Sequence, residues 1–254
     1  MELSFEFLIA LGLILFISGI FHGTIGFGFP MIATPLLALF TDIQTAIMFT
    51  IIPTILVNLT SIISEEKFMV VVKNFYPFAV IAMVGSALGT LLLIYAHSNY
   101  FKLFLALMIL CYLLMDNFKI NSRFVQQHPK KALGLFGLSA GFFGGLTNVM
   151  APLLIVYSME SKFTKSQTIQ FSNLCFLLGK IIQFILFSLY GTFTLQNVGL
   201  SLGTLSIVAV ALYWGIKIKR QIDIKTYQRF IKVLLFVISL VLLYQVYSVS
   251  GEAM

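Results

Sequence analysis

Eight apolar segments follow one another along the chain, separated by short polar stretches. They cover residues 5–40, 45–63, 75–96, 101–118, 132–158, 168–190, 195–216 and 230–249. Several are as long as the roughly 20 apolar residues that a helix needs to cross the hydrocarbon core of a bilayer. The pattern predicts an all-α polytopic membrane protein, with one transmembrane domain over residues 1–254.

Glycine-rich motifs interrupt the first and fifth segments, and each of these two segments begins a group of four. The first motif, residues 23–30, is Gly-Thr-Ile-Gly-Phe-Gly-Phe-Pro, and the second, residues 141–148, is Gly-Phe-Phe-Gly-Gly-Leu-Thr-Asn. Pro-Leu-Leu follows both, at residues 35–37 and 152–154. We interpret the chain as two related halves, covering about residues 5–118 and 132–249.

Breaks inside apolar segments indicate a lined site. An unpaired backbone N–H or C=O group costs several kcal/mol in hydrocarbon, so irregular backbone is tolerated there only beside protein or a water-filled cavity. Interrupted segments in corresponding positions of two halves point to the substrate site of a transporter, and half-helix N-termini favour an anion. The alternative is close helix packing of the GxxxG type, which Gly19 and Gly23 satisfy.

The distribution of lysine and arginine predicts the topology, because cytoplasmic loops are enriched in these residues. If both motif segments return to the side from which they entered, the basic stretches 65–74, 119–131, 160–167 and 217–229 all lie on one side. Each half then crosses the membrane three times, which predicts an inverted repeat with cytoplasmic basic loops and both termini outside. Motif segments that span the membrane fully are the alternative, since the first segment is long enough for two crossings.

Composition excludes several classes of protein. The chain is 59% hydrophobic and only 10% charged, with a mean hydropathy of +1.01, which excludes an ordinary soluble domain. The formal charge of +7 is explained by basic loops, so no nucleic-acid partner is predicted. Cys111 and Cys175 lie in apolar segments without metal-ligand spacing. We therefore predict no metal and no cofactor, and the absence of catalytic motifs predicts no enzyme.

Polar residues recur at helical spacing after each motif. Thr50, Thr54, Asn58 and Ser61 form a stripe in the second segment, and Gln170, Asn173, Lys180 and Gln183 lie in the sixth. Lys180 is near the middle of its segment, where a charge costs at least about 2.5 kcal/mol, so an anion is its expected partner. Snorkelling of the lysine toward the membrane surface is the alternative.

The candidate substrate-binding residues are drawn from both motifs and both stripes. They are Gly23, Gly26, Gly28, Thr50, Asn58, Gly144, Gly145, Thr147, Asn148, Gln170, Asn173 and Lys180. No carboxylate lies centrally in a segment, Asp116 being the nearest. His22, at the first motif, and Lys180 itself are therefore the candidates for proton coupling, with a structural hydrogen-bonding role as the alternative for His22.

The two motifs carry a resemblance to a known family. A glycine-rich break that precedes a proline and two leucines, repeated once in about 250 residues, resembles the TauE/SafE sulfite exporter family. Gly23, Gly26, Gly28 and Pro35 match the family pattern in the first copy, and Gly141, Gly144, Gly145 and Pro152 match it in the second. The sequence departs from the pattern at Phe29 and Pro30 and at residues 146–148. The resemblance implies export of small sulfur-containing anions such as sulfite or an organosulfonate.

Three hypotheses of function follow. The first is a secondary transporter of a small anion in the plasma membrane, working by alternating access around a midplane site. A passive anion channel and a non-transporting membrane scaffold or assembly factor are the alternatives. The expected partners are the small anionic substrate and the lipid bilayer. The sequence leaves open the substrate, the direction of transport, the coupling ion and the oligomeric state, a homo-oligomer included.

Overall fold

The computed structural model describes residues 5–65, 67–96, 100–114, 124–191, 193, 195–218 and 224–252. These residues form twelve α-helices, and no strand occurs among them. Five helical stretches are long and apolar enough to cross a membrane. The prediction of an all-helical, multi-pass membrane protein is therefore confirmed.

The first half contains five helices. They are α1 (Phe5–Ile25), α2 (Phe29–Ala38), α3 (Ile43–Glu65), α4 (Phe68–Tyr95) and α5 (Tyr100–Leu114). Between α1 and α2, Gly26 and Gly28 have φ angles of 101° and 97°. Side chains disfavour this left-handed conformation, so glycine allows the chain to leave one helix and enter the next within three residues.

The second half contains seven helices, of which two are short. They are α6 (Phe124–Gln127), α7 (Pro129–Thr147), α8 (Ala151–Glu160), α9 (Lys165–Leu189), α10 (Leu195–Gly203), α11 (Leu205–Ile218) and α12 (Ile224–Glu252). Asn148 follows α7 with a φ angle of 64°, the position and conformation that Gly26 has after α1. A capping box formed by Thr164 and Gln167 begins α9.

The helix bounds differ from the predicted segments at several ends. The third segment begins seven residues earlier, at Phe68, and the seventh is divided at Thr204 into α10 and α11. Lys73 and Asn74 in the second turn of α4 hid its start, because neither residue is apolar enough to extend the segment. The carboxylate Asp116 lies outside the described residues, as do four basic residues used for the topology: Lys119, Arg123, Lys219 and Arg220.

Glycines bring two pairs of helices into close contact. A Cβ atom added to Gly145 or Gly141 of α7 would meet the backbone of Ser86 or Ala82 in α4. In the first half, a Cβ atom on Gly23 of α1 would lie 2.6 Å from the carbonyl oxygen of Leu212 in α11. The helix before the break in each half, α1 or α7, therefore packs backbone to backbone against a helix of the other half.

Helix ends in the two halves are separated by a constant number of residues. Three pairs of ends are each 122 residues apart: Ile25 and Thr147, Phe29 and Ala151, and Ile43 and Lys165. This spacing pairs Pro30 with Pro152 in the first turns of α2 and α8, and Gly23 with Gly145. The sequence motifs, which begin at Gly23 and Gly141, are therefore out of register by one helical turn.

Candidate functional site

Lys180 lies in the protein interior, in the second half of α9. Its side chain is 2% exposed, and its Nζ atom donates hydrogen bonds to two amide oxygens. These are Oδ1 of Asn148 and Oε1 of Gln183, each at 2.6 Å. The lysine is thus neither at the membrane surface nor facing lipid, which excludes the snorkelling alternative.

Asn148 connects Lys180 to the first half of the protein. Its Nδ2 atom donates to the hydroxyl oxygens of Thr34 in α2, at 2.7 Å, and Thr50 in α3, at 3.0 Å. Its left-handed backbone, which asparagine adopts more readily than most residues, directs the break between α7 and α8. One side chain thereby joins the second break to both helices that follow the first break.

Gln183 completes this group, which we call the Lys180 cluster: Thr34, Thr50, Asn148, Lys180 and Gln183. Its Nε2 atom donates to the carbonyl oxygen of Gly145 at 2.9 Å. Since Gln183 and Asn148 both present their oxygens to Lys180, their amide orientations are fixed by the network. No carboxylate takes part in the hydrogen bonds of Lys180 among the described residues.

A second polar group lies at the first break. Asn173 of α9 donates through Nδ2 to the carbonyl oxygens of Gly26, at 2.7 Å, and of Ile169, at 2.8 Å. The sequence placed Asn173 on the same helical face as Lys180, yet it contacts a different break. The two breaks are thus linked through side chains, and a Cβ atom added to Gly26 or Gly28 would first meet Ile169 or Phe21.

His22 lies in the last turn of α1 and bonds through both ring nitrogens. Its Nδ1 accepts a hydrogen bond from the backbone N–H of Phe29 at 3.3 Å, and its Nε2 lies 2.8 Å from the hydroxyl of Ser61. Because Nδ1 accepts, the ring proton of a neutral imidazole is on Nε2. His22 thus holds the first residue of α2 against the end of α1.

Several buried polar atoms have no hydrogen-bond partner within the described part of the chain. They are Thr54 Oγ1, both amide atoms of Asn58, Ser172 Oγ, Asn173 Oδ1 and Ser201 Oγ. Each exposes less than 1 Å². An unsatisfied buried group costs about 1–3 kcal/mol, and four of these five residues lie on α3 and α9, which pack against each other.

The glycines of the motifs have two different roles. Gly26 and Gly28 adopt backbone conformations that side chains disfavour. Gly23 and Gly145 are required by close helix packing, the alternative weighed for the motifs. Gly144 faces Met150, whose Cε and Cβ atoms would meet an added Cβ atom. Contact of these five glycines with a substrate stays a prediction.

Two further candidates are occupied by local hydrogen bonds. Thr147 donates to the carbonyl oxygen of Phe143 at 2.8 Å and accepts from the backbone N–H of Val149 at 3.3 Å, so it shapes the second break. Gln170 donates to Ser166 at 3.2 Å, one turn earlier in α9. It lies about 15 Å along the helix axis from Lys180 and is not part of the Lys180 cluster.

Sequence reasoning missed Thr34, which is a partner of Asn148. Its only signal is that it is a polar residue in the otherwise apolar helix α2. Gln183 belongs to the polar stripe of the sixth segment, but it is not among the candidate substrate-binding residues. Its spacing of three residues from Lys180 is the signal that would have found it, since such residues are neighbours on a helix.

The chemistry of the Lys180 cluster suits an anion. An ammonium group and the hydroxyl and amide hydrogens around it are donors, and the ammonium uses two of its three N–H groups on amide oxygens. An anion that reaches this cluster would find a charge whose present partners are neutral. Groups of three or more His, Cys, Asp and Glu residues that suit a metal ion do not occur in the described ranges.

Comparisons with known proteins identify the family. No curated protein and no solved structure matches the chain. A family model described as sulfite exporter TauE/SafE matches residues 11–242. That match includes both breaks, every member of the Lys180 cluster and the first-break residues. The chain therefore belongs to the sulfite exporter TauE/SafE family of membrane transport proteins.

Proposed function

We propose that this protein is a secondary transporter that exports a small sulfur-containing anion, sulfite or an organosulfonate, by alternating access. Family membership supports transport of such anions, and the buried Lys180 supports a charged site. The observation that carries the proposal is the pairing of the Lys180 ammonium with neutral amides only. A buried cation of this kind in a membrane segment is expensive unless it serves a ligand.

The direction of the helices supports hairpins at both breaks. The ring centroids of Phe7 and Phe49 are 5.8 Å apart, near the starts of α1 and α3, while His22 contacts Ser61 near the ends of these helices. The helices α1 and α3 therefore run in the same direction. Because α2 lies between them in the chain, it returns the chain to the side where α1 began.

The second half shows the same reversal. The rings of Phe136, in the first half of α7, and Tyr157, near the end of α8, are 5.8 Å apart. The carboxylate of Glu160, the last residue of α8, accepts a hydrogen bond from the backbone N–H of Val125 at 3.0 Å. The end of α8 thus lies beside the chain that enters α7.

The contacts between the halves support an inverted repeat. Asn148 bridges Thr50, early in α3, to Lys180, late in α9, and Asn173, early in α9, contacts the break that follows α1. These contacts make α3 and α9 antiparallel, although the 122-residue spacing makes them corresponding helices. Three crossings per half then insert the second half upside down relative to the first.

The exposed basic residues support the orientation in the membrane. On this topology the starts of α4, α7 and α9 and the end of α11 lie on one side. They carry Lys67, Lys73, Lys130, Lys131, Lys162, Lys165 and Lys217, all exposed. The positive-inside rule makes this side cytoplasmic, with Lys102 and both ends of the chain outside in the plasma membrane.

The burial of the Lys180 cluster favours a carrier over a channel. Asn148 is 1% exposed and Thr34 and Thr50 are 0% exposed, so water does not reach the cluster in this conformation. An open pore would leave its lining side chains wet. In a carrier, α2 and α8 would separate from α3 and α9 in turn, and the anion would replace an amide oxygen on the Lys180 ammonium.

Transport by purified protein in liposomes tests the proposal. Lys180→Met should remove at least about nine-tenths of sulfite flux, because methionine keeps the length of the side chain and loses its charge. Lys232→Met, near the start of α12, is the matched control and should transport as the unmodified protein does. Size-exclusion profiles would show whether both variants are folded. Unchanged flux in Lys180→Met would exclude the lysine from the mechanism.

The substrate class is tested by thermal stability. An anion that binds only the folded state raises its apparent stability, and the rise grows with the logarithm of the anion concentration above Kd. We expect sulfite or a small sulfonate to raise the melting temperature at constant ionic strength, and Lys180→Met to lose that rise. Equal effects of sulfite, sulfonates and chloride would contradict a site selective for sulfur-containing anions.

A further inference from the structure

The 122-residue spacing pairs the Lys180 cluster with a second set of residues. Thr50 corresponds to Ser172, Gln183 to Ser61, Lys180 to Asn58 and Asn148 to Gly26. Both sets lie where α3 and α9 pack against each other, one near each break. The repeat therefore pairs the charged Lys180 cluster, at the second break, with a related set of polar residues at the first break.

The two sets differ in one side chain that changes their chemistry. In the Lys180 cluster, the amide of Asn148 fills the space between Lys180 and Thr50 and bonds to both. The corresponding residue at the first break is Gly26, which has no side chain. The corresponding pair, Asn58 and Ser172, are buried and without hydrogen-bond partners among the described residues.

Four of the five residues with unpartnered atoms lie on α3 and α9, and we call them the Asn58 cluster: Thr54, Asn58, Ser172 and Asn173. All four side chains are 0% exposed. Thr54 precedes Asn58 by one turn and faces the same way, and Ser172 adjoins Asn173. Because Asn173 donates through Nδ2 to two carbonyl oxygens, its unpartnered Oδ1 is an acceptor.

The electrostatics at this break favour a cation. The first break lies between the C-terminal end of α1, whose carbonyl groups carry partial negative charge, and the N-terminal end of α2, where the N–H of Phe29 is already bonded to His22. The oxygens of the Asn58 cluster, two from amides and two from hydroxyls, add further lone pairs. In broken transport helices such C-terminal ends and carbonyl oxygens coordinate sodium, whereas N-terminal ends bind anionic groups.

The charge of the cluster selects the kind of ion. None of its four side chains carries a positive charge that could pair with an anion such as sulfite. Calcium and magnesium are hard cations that proteins bind chiefly with carboxylates, and the Asn58 cluster is neutral. We propose that the Asn58 cluster binds one sodium ion through the side-chain oxygens of Thr54, Asn58, Ser172 and Asn173.

This site gives the two halves separate tasks. The Lys180 cluster supplies a fixed positive charge at one break, and the bound sodium ion supplies a mobile positive charge at the other. The assignment of sodium as the coupling ion rests on the proposed function, because it requires transport. Binding of sodium to the folded protein does not require transport and is tested by itself.

Sodium binding is measured as a thermal shift of the purified full chain. Melting temperatures are compared in sodium chloride, potassium chloride and N-methylglucamine chloride at equal ionic strength. We expect sodium alone to raise the melting temperature by several degrees, and the rise to grow with the logarithm of the sodium concentration, because sodium binds the folded state. Equal melting temperatures in the three salts would overturn the proposal.

Three variants locate the ion. In Asn58→Ala and in Ser172→Ala, the apparent sodium affinity obtained from the thermal shift should fall at least about tenfold, because each substitution removes an oxygen ligand. Ser239→Ala is the matched control, because Ser239 is equally buried but donates to the carbonyl oxygen of Phe236. A sodium shift that survives in both Asn58→Ala and Ser172→Ala would place the ion elsewhere and contradict the assignment.

A gain-of-charge variant keeps the test independent of misfolding. Asn58→Lys introduces an ammonium at the position that corresponds to Lys180, where it would take the place of the ion. We expect this variant to be as stable without sodium as the unmodified protein is with it, and to show no sodium shift. A retained sodium shift in Asn58→Lys would count against the site.

The sodium site and the anion site fail in distinguishable ways. Lys180→Met should lose the sulfite-dependent shift and keep the sodium-dependent shift. Asn58→Ala should lose the sodium-dependent shift and keep the sulfite-dependent shift when sulfite is at saturating concentration. If sulfite raises the melting temperature of the unmodified protein and sodium does not, the sodium site is contradicted and the proposed function stands. The opposite result would remove the proposed function and leave the ion site.

Discussion

The Nζ atom of Lys180 lies 2.6 Å from the Oδ1 atom of Asn148, which itself stands in the left-handed turn between α7 and α8. The buried ammonium group of Lys180 is thus hydrogen-bonded to the residue whose backbone forms the second break. An anion that displaces the amide oxygen from Lys180 would free the Asn148 side chain from one of its three bonds. On the proposed function, substrate binding and movement of the break would be coupled through this one residue.

A carboxylate at this position should therefore compete with the substrate. Asn148→Asp keeps the side-chain shape and forms an ion pair with Lys180. We expect sulfite affinity to fall at least about tenfold, since the new charge neutralises the ammonium that the anion requires. Titration of the sulfite-dependent thermal shift measures the change.

Asn148→Gly is the companion variant, because glycine also accepts the left-handed backbone. It removes the amide without adding charge, and so it should bind sulfite more tightly than Asn148→Asp does. Equal affinity in the two variants would show that the charge at this position has no influence on the anion.

Close packing of α7 against α4 should make Gly145 intolerant of a methyl group. In Gly145→Ala the new Cβ atom would meet the carbonyl oxygen of Ser86, which belongs to the backbone and cannot rotate away. Overpacking of this kind costs about 1–3 kcal/mol, so the melting temperature should fall.

The same helix provides the control for this measurement. Gly134 of α7 has no atom within 4 Å of an added Cβ atom. Gly134→Ala should leave stability unchanged or raise it by up to about 1 kcal/mol, because alanine favours the helix more than glycine does. A similar loss of stability in both variants would contradict the close contact at Gly145.

The hydrogen bonds of His22 predict a role in holding the first break. In His22→Leu the N–H of Phe29 loses its acceptor and Ser61 loses its partner, while Ser61→Ala removes one bond only. We expect His22→Leu to destabilise the protein by about 1–3 kcal/mol and Ser61→Ala by less. Melting temperatures of the two variants and of the double variant measure this difference.

Proton coupling through His22 has a separate test. A variant that keeps an acceptor for Phe29, such as His22→Asn, retains structure and cannot exchange a proton near neutral pH. If sulfite flux in His22→Asn still responds to an imposed pH gradient as in the unmodified protein, His22 does not carry the coupling proton.

The hairpins at the two breaks predict on which side their ends lie. After replacement of Cys111 and Cys175 by serine, single cysteines are introduced as Thr41→Cys, after α2, and Lys162→Cys, after α8. An impermeant maleimide should label Thr41→Cys on intact cells and Lys162→Cys only after lysis. Labelling of both on intact cells would rule out the inverted arrangement.

The importance of Lys180 was predictable because the free-energy cost of a charge in lipid can be estimated from its position in the chain. A lysine in the middle of an apolar segment must be buried or reach water, so the position of Lys180 in the chain was enough to predict a functional group. The helical character of the chain was predictable for a related reason, since apolar segments of this length have few other ways to satisfy their backbone in lipid. Glycines in apolar segments likewise indicated breaks or close contacts.

The identity of each partner was not predictable, because it depends on which helices meet. Helical spacing placed Asn173 beside Lys180, but α9 passes both breaks and Asn173 reaches the carbonyl of Gly26 instead. Gln170 shares the stripe and lies beyond both breaks, bonded to Ser166. The sequence around Thr34 does not indicate a site residue, because its hydrogen-bond partner, Asn148, lies 114 residues away in the chain.

The sequence by itself determined that the chain crosses a membrane, that its glycines cluster at two places and that one lysine stands in the apolar interior. Only the tertiary structure decided which glycines turn the chain and which let helices touch, and which polar groups meet Lys180. The reason is physical: the cost of an apolar or charged residue in lipid depends on that residue alone. A hydrogen bond or a backbone contact depends on two residues brought together by the packing of separate helices.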